Sequence, residues 1–293
     1  MKKVILFASI LVSALLFTNC SGSGPCCKKK ECKTSTNKDI GLQLYSLRDD
    51  INKGSIDKII TAVGKMGYKF VETANYDDGK FYGLTPEVFK AKLAEAGLFA
   101  LSAHTNKSLP NDVSTANWGE IWAWWDQAIA AHKAAGMQYL VVPWMPAPSK
   151  LEVLKVYCDY FNQIGEKCKA AGLKFGYHNH AFELSTKIEG KVMLEYMLEN
   201  TNPEMVFFQL DVYWSVMGQR SPVDLFKKYP GRFEVLHIKD HKELGESGMV
   251  GFDAIFRNLS VAGTKYLVVE VEQYNYAPQE SVKRSFDYLA TFF

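Results

Sequence analysis

In the stretch Leu173-Lys-Phe-Gly-Tyr-His-Asn-His-Ala-Phe-Glu183 an apolar run gives way to His178, Asn179, His180 and Glu183 within six positions. Side chains two apart on a strand face the same way, so His178 and His180 converge on one point, with Glu183 on the loop just beyond. Three other apolar runs end likewise: Val206-Phe-Phe-Gln-Leu-Asp211, Glu234-Val-Leu-His-Ile-Lys-Asp240 and Tyr266-Leu-Val-Val-Glu-Val-Glu272. One histidine at a strand end is ordinarily a surface or satisfied core residue. Four runs that deliver His, Asp, His and Glu at one end point to chemistry instead. Asp211, His237 and Glu270, with either Glu183 or His178, form a mixed oxygen and nitrogen set that contains no cysteine. Such a set suits a divalent ion that keeps open positions for substrate (Mn²⁺, Co²⁺ or Mg²⁺, with Zn²⁺ next) better than a closed structural zinc site. An ion held this way polarises a carbonyl or two neighbouring sugar oxygens and stabilises the enediolate formed when the adjacent C–H is deprotonated. The deprotonation needs a base, for which His180, Glu72, His104 and Glu272 are the candidates. Lys239, two residues beyond His237 and on the same strand face, is a fixed positive charge or a proton donor. The competing interpretation of the same residues is an ion-pair network without metal.

These residues need elements that bring them to one place, and the chain has a repeat that does so. Runs of mostly apolar, β-branched or aromatic residues recur near 41–46, 68–73, 98–104, 138–143, 173–180, 206–212, 234–239 and 266–272. Their starts lie roughly 27 to 40 residues apart, the length of a strand plus a crossover helix. Several intervening helical patterns close on a glycine before the next strand: Gly67, Gly97, Gly136, Gly172 and Gly263. Glycine suits the left-handed turn past a helix end. Ser221-Pro222 supplies a helix start, with serine as cap and proline at the first helical position. Eight β-α units over residues 40–293 predict one α/β domain, a (β/α)₈ TIM barrel, with an open doubly wound sheet as the alternative. No glycine-rich phosphate fingerprint follows the first run, where the alternative would often carry one. In a barrel the carboxyl ends of the strands share one rim. Gln43 and Tyr45 then join the rim from the first strand, Glu72 from the second, His104 from the third and Trp144 from the fourth. Tyr45, Tyr76, Trp144, Tyr213, Trp214 and Tyr274 offer flat faces for a sugar ring, whereas Trp122 and Trp125 read as helix packing.

Ahead of this domain the chain has a different character. Lys2 and Lys3, the apolar run Val4 to Phe17 and then Cys20 have the flanks and length of a signal peptide over residues 1–20. The segment resembles a bacterial lipoprotein signal, with Cys20 as the lipidated residue, and predicts an exported body in the periplasm or on an outer-membrane lipid anchor. Residues 21–39 hold almost nothing that could be buried and read as a flexible tether. Cys26, Cys27 and Cys32 in the tether have no matching second pair, so their spacing is not a zinc pattern. Cys158 and Cys168 fall on one predicted helix and are not expected to bond each other. A net charge of +2, part of it in the tether, gives no electrostatic reason to expect nucleic acid. Nothing in the chain indicates an oligomeric state.

Taken together, Tyr-His-Asn-His-Ala-Phe-Glu (177–183), Leu-Asp-Val-Tyr-Trp (210–214), Lys-Lys-Tyr-Pro-Gly-Arg (227–232), Leu-His-Ile-Lys-Asp (236–240) and Val-Glu-Val-Glu (269–272) resemble the sugar phosphate isomerase/epimerase family with the xylose isomerase-like barrel. The similarity spans residues 40–293. It implies a metal at the ends of strands five to eight, with Asp211, His237 and Glu270 on ligand positions. Many relatives carry a glutamate where this chain has His178, so either His178 takes that role or Glu183 reaches back, and Glu183 is slightly favoured. Asn179 and Trp214 join Gln43, Tyr45 and Trp144 as candidate substrate contacts. The branch also looks like exported proteins that cleave 3-keto-glycosides, which implies a small carbohydrate substrate. Proton abstraction alone would equally serve an isomerase or epimerase on a free or phosphorylated sugar. A phosphodiesterase of the endonuclease IV type is disfavoured, because Trp214 stands three residues after Asp211 where a histidine would be needed. A tethered carbohydrate-binding protein without catalysis is the remaining class.

Overall fold

The computed structural model describes residues 38–293. The expected signal segment, Cys20 and all but the last two residues of the tether lie outside the described residues. Eight parallel strands alternate with helices: β1 (Ile40–Gln43), β2 (Phe70–Thr73), β3 (Phe99–Ala103), β4 (Tyr139–Val142), β5 (Lys174–His178), β6 (Val206–Asp211), β7 (Val235–Lys239) and β8 (Tyr266–Glu270). They hydrogen-bond in the order β3-β2-β1-β8-β7-β6-β5-β4. The seam between β3 and β4 is closed by Gln138 N donating to Leu101 O and Thr105 N donating to Val141 O, each 2.9 Å, with a parallel bridge between His104 and Val141. This is the (β/α)₈ barrel that the repeat predicts, and the open sheet is excluded by that seam.

The local signals that punctuate the sequence do what their chemistry suggests. All five glycines at the predicted helix ends adopt positive φ, between 74° and 108°. Ser221 caps the helix Pro222–Lys228, its Oγ accepting from Asp224 N at 3.2 Å. Trp125 is buried in the helix Trp118–Ala134, with its indole Nε1 donating to Tyr160 Oη at 2.5 Å, while Trp122 is half-buried beside it. Cys158 and Cys168 are both buried, have no partner among the described residues and lie on the single helix Leu151–Ala171. Among the described residues no helix is long and apolar enough to cross a membrane.

Period-two alternation sorts the barrel interior into layers. Phe70, Tyr139, Phe207, Val235 and Tyr266 fill the amino-terminal end, with Leu101, Val141 and Val268 packed into the same cluster. Each aromatic ring meets another: Phe70 and Tyr266 at 5.5 Å, Tyr139 and Phe207 at 5.1 Å, Tyr139 and Tyr266 at 5.8 Å. Two residues beyond Phe70, Phe207 and Val235 stand Glu72, Gln209 and His237, and four beyond Tyr266 stands Glu270, so this apolar floor supports the site. The floor fits only because two strands contribute no side chain to it. A Cβ at Gly41 would lie 2.0 Å from the Phe70 ring, and one at Gly176 would lie 2.5 Å from the Phe207 ring. Gly41→Ala is therefore expected to destabilise the barrel by about 1–3 kcal/mol through overpacking. Urea unfolding checks this; a variant with an unshifted midpoint and unchanged slope would show that the floor is loosely packed.

Candidate active site

Above the floor sits Glu72, fully buried at the end of β2, with both carboxylate oxygens taken. Oε1 accepts from Gln43 Nε2 at 2.9 Å and from His237 Nε2 at 2.6 Å, with His104 Nε2 at 3.0 Å. Oε2 accepts from Ser102 Oγ at 2.5 Å and from Gln209 Nε2 at 2.8 Å. A register shift between β2 and β3 at Val71/Glu72 is what brings Ser102 opposite Glu72. Burial alone would raise the Glu72 carboxyl, but the adjacent His104 and His237 hold it well below the usual carboxylate range. Gln209 is the second hub: its Oε1 faces His104 Nε2 at 2.8 Å and His178 Nδ1 at 3.1 Å.

On this polar platform His178, Asp211, His237 and Glu270 converge, each offering one ligand atom within 4.8 Å of the others. All four are buried. The rings of His178 and His237 lie 4.5 Å apart, and those of His104 and His237 lie 5.2 Å apart and stacked. His237 is held between two carboxylates, Nε2 on Glu72 and Nδ1 on Glu270 Oε2 at 3.3 Å. Burial opposes a charge there, yet Glu72 and Glu270 outweigh it and push His237 up to about 10. Glu270 is correspondingly lowered to about 2, with burial opposing and His237 prevailing. Asp211 goes the other way: burial pushes it up to about 8, although Lys239 draws it down. His178 is driven well below its ordinary value by burial and then by the histidines around it.

A divalent cation fits this set on two observations. Asp211 Oδ2 is buried without any hydrogen-bond partner among the described residues, a costly state for a carboxylate unless something else binds it. The donors are two imidazoles and two carboxylates, a combination that first-row divalent metals accept. A cation here would replace the His237 proton, so affinity falls in acid.

Glu183 is placed differently from the sequence expectation that slightly favoured it as fourth ligand. It lies in the short helix Phe182–Ser185 and turns back on the chain: Oε1 accepts from Tyr177 Oη at 2.7 Å and Oε2 from His180 N at 2.8 Å. Both oxygens are occupied, and the position in the four-residue set belongs to His178. Burial raises the Glu183 carboxyl to about 7, partly offset by those donors. Gln43, Glu72 and Asn179 are also deeper than a substrate contact or an open base would be. Gln43 Oε1 accepts from Tyr45 N at 3.1 Å, and Asn179 ties β5 to β6, its Oδ1 accepting from Asp211 N at 3.2 Å.

The cavity over the cluster has a volume of about 470 Å³ and is walled by Tyr45, His104, Trp144, His178, His180, Glu270 and Glu272, among others. Tyr45 is 44% exposed and Trp144 46%, and both line the rim. His180 lines this cavity; its Nδ1 is buried and has no hydrogen-bond partner among the described residues, and burial lowers the imidazole to about 4. Lys239 is buried behind Glu272, its Nζ 3.3 Å from Oε2, and sits 5.5 Å over the Trp214 ring. Trp214 packs toward His180, ring centres 5.9 Å apart. Gln209 and Ser102 are functional-layer residues that spacing alone does not single out beforehand. Gln209 stands two before Asp211, so the same-face rule that marks Lys239 applies to it as well.

With the geometry in place, known proteins supply a frame. The family described as Xylose isomerase-like TIM barrel matches residues 60–292. A crystal structure of a sugar phosphate isomerase/epimerase from Parabacteroides distasonis superposes with a TM-score of 0.78 at 37% identity, over 86% of this chain and 98% of that one. The IOLI protein, solved with a bound zinc atom, superposes with a TM-score of 0.67 at 14% identity, over 87% of this chain and 97% of that one, a likeness of fold alone. Inosose dehydratase of Bacillus cereus is 25% identical over 139 residues, 39% of this chain and 46% of that protein. This chain thus spans about half the length of that dehydratase. The chain belongs to the xylose isomerase-like TIM barrel family.

Proposed function

We propose that the protein is a metal-dependent lyase or isomerase that removes a proton next to a sugar carbonyl, and that its substrate is a non-phosphorylated 3-keto-glycoside. The observation that carries this reading is the convergence of four ligand-type side chains, His178, Asp211, His237 and Glu270, beside a sugar-sized cavity that His180 also lines. Relatives named as a dehydratase and as an isomerase/epimerase support the coarser class, an enzyme that shifts or eliminates groups on carbohydrates. Among the described residues that line this cavity, histidines are the only basic side chains, which supports a non-phosphorylated sugar there. The exported location expected from residues 1–20 belongs to the same reading.

In this reading Tyr45 and Trp144 hold the sugar ring by its faces. His180 takes the C2 proton, and the electron pair of that C–H bond moves toward the C3 ketone. His178, Asp211, His237 and Glu270 would hold a divalent cation, which would supply charge stabilisation for the substrate oxygens. Breaking the C1–O bond then forms a C1=C2 double bond, and the departing oxygen leaves with the bonding pair and takes up a proton. Returning the proton to carbon without that cleavage gives an epimer or isomer. Glu272, which lines the cavity with its Oε2 3.3 Å from Lys239 Nζ, hands the proton to the departing oxygen in this reading. The test is incubation of the protein and Co²⁺ or Mn²⁺ with 3-keto-glucosides in deuterium oxide. Release of the aglycone identifies the lyase, and deuterium at C2 without release identifies the isomerase. Recovery of unlabelled starting material under saturating metal would remove the reading.

A further inference from the structure

Next to the main cavity lies a second compartment of about 190 Å³, lined by Leu44, Tyr45, Arg48, Asn52, Asn75 and Tyr82, among others. The two spaces share Tyr45 and Ala74, so the Tyr45 ring stands between them as a divider. At this size the second space is smaller than the roughly 300–1,000 Å³ of an independent ligand site. It is sized for an extension of whatever occupies the first. Its walls are built with care. The Arg48 guanidinium stacks on the Tyr45 ring at 4.5 Å, while Nη1 donates to Tyr45 O and Tyr274 Oη and Nη2 donates to Glu272 O, each at 3.0 Å. Tyr45 and the backbone of Glu272 are thus fixed by a side chain that belongs to the second compartment. Asn75 Oδ1 accepts from Tyr82 N at 2.8 Å, which orients the amide and leaves its NH₂ group as a donor for a ligand. Tyr82 itself holds φ at 51°, an uncommon conformation for an aromatic residue, and its Oη accepts from Ala74 N at 3.3 Å.

We infer that this compartment is a leaving-group subsite that receives a second, neutral hydroxylated ring, so that the enzyme acts on two-ring glycosides in preference to simple ones. The inference rests on the reading of the main cavity as a keto-glycoside site. The named wall residues combine amide, guanidinium and phenol groups with the apolar Leu44 and Ile51, and none of them is acidic. That mixture suits a sugar ring, which has hydroxyls at its edge and C–H groups on its faces. The second ring then meets the Arg48 guanidinium that covers one face of Tyr45, and the scissile bond passes over the edge of the Tyr45 ring.

Calorimetric titration of the full chain with methyl glucoside, cellobiose and their 3-keto forms tests the subsite. The two-ring ligands are expected to bind at least tenfold more tightly than the one-ring ligands. Asn52→Trp, which fills the compartment from an exposed helix position, is expected to erase that difference and leave one-ring binding within twofold. Asn75→Asp, which keeps the acceptor for Tyr82 N and removes the amide donor, is expected to weaken only the two-ring ligands, by about threefold to tenfold. Equal binding of one-ring and two-ring ligands by the wild type, no binding of either, or equal losses for both in the variants would each overturn the subsite. Release of the second ring is read separately. Tight, ring-selective binding of 3-keto-cellobiose that stays intact would uphold the subsite and remove the proposed reaction.

Discussion

Asp211→Asn is expected to lower divalent-cation affinity and turnover together by about two to three orders of magnitude while leaving the barrel folded. The two oxygens of Asp211 have separate jobs. Oδ1 accepts from Trp214 N at 2.8 Å and caps the helix Val212–Met217, whereas Oδ2 is the buried oxygen without a partner. An asparagine oxygen can keep the cap, so what is lost is the charge. The metal-free protein gives this prediction a second, opposite sign. Asp211 holds its proton in the fold up to about pH 8, because burial outweighs the pull of Lys239, but releases it near 3.8 when unfolded. A folded-state value raised in this way makes a contribution that is complete below the unfolded value and is lost as pH rises through the folded one. Metal-free wild type therefore loses stability relative to metal-free Asp211→Asn between about pH 4 and pH 8. At pH 8 the variant melts higher without metal, and the order reverses once metal is added. Melting curves of both proteins at pH 5 and pH 8, with and without Co²⁺, together with calorimetric titration, check both signs. A variant that binds Co²⁺ like the wild type would take Asp211 out of the ligand set.

How far these arrangements can be read from a sequence depends on which coordinate is asked for. Strand spacing, the glycines Gly67 to Gly263 and the Ser221 cap are local signals, and each acts within a few residues of itself. That is why the barrel and the rim it implies are legible from the order of residues alone. Period-two alternation likewise says which face a side chain takes, and it puts His237 with Lys239 and Gln209 with Asp211. It does not say how high on the rim a residue stands, since height comes from the register between neighbouring strands. Glu72, opposite Gln43 in the β1–β2 register, sits beneath the ligand layer and serves as a clamp for five donors, so its polarity is visible in the sequence and its depth is not. Asn179 behaves the same way, visible as a polar residue between two histidines and used to join two backbones. The choice between His178 and Glu183 also escapes the sequence. A helical turn at Phe182–Ser185 swings the Glu183 carboxylate onto His180 N and Tyr177 Oη, and nothing in the spacing announces that local bond.

Among the candidate bases, His180→Asn is expected to reduce turnover by about 10²–10⁴-fold with metal affinity within threefold of wild type. The four candidates separate on what already holds them. Glu72 has no free oxygen and no access to the cavity, so removing it should unfold the polar platform before it tests any proton transfer. His104 lines the cavity, but its Nε2 is held by Gln209 at 2.8 Å and lies 3.0 Å from Glu72. Glu272 also lines the cavity, but its Oε2 is already held 3.3 Å from Lys239 Nζ. His180 alone among them lines the cavity with no side-chain hydrogen bond to the described residues, while its backbone N donates to Glu183. A base must accept a proton and then release it, and a ring whose nitrogen has no competing partner can do both with the least rearrangement. Asparagine keeps the backbone bond to Glu183 and a polar side chain, so loss of activity would report on the imidazole. Deuterium wash-in at the sugar carbon is the measurement that isolates the step, since it reads proton removal whether elimination or reprotonation follows. Wash-in that survives His180→Asn within tenfold, yet vanishes in Glu272→Gln, would transfer the role to Glu272 and leave His180 as a wall of the cavity.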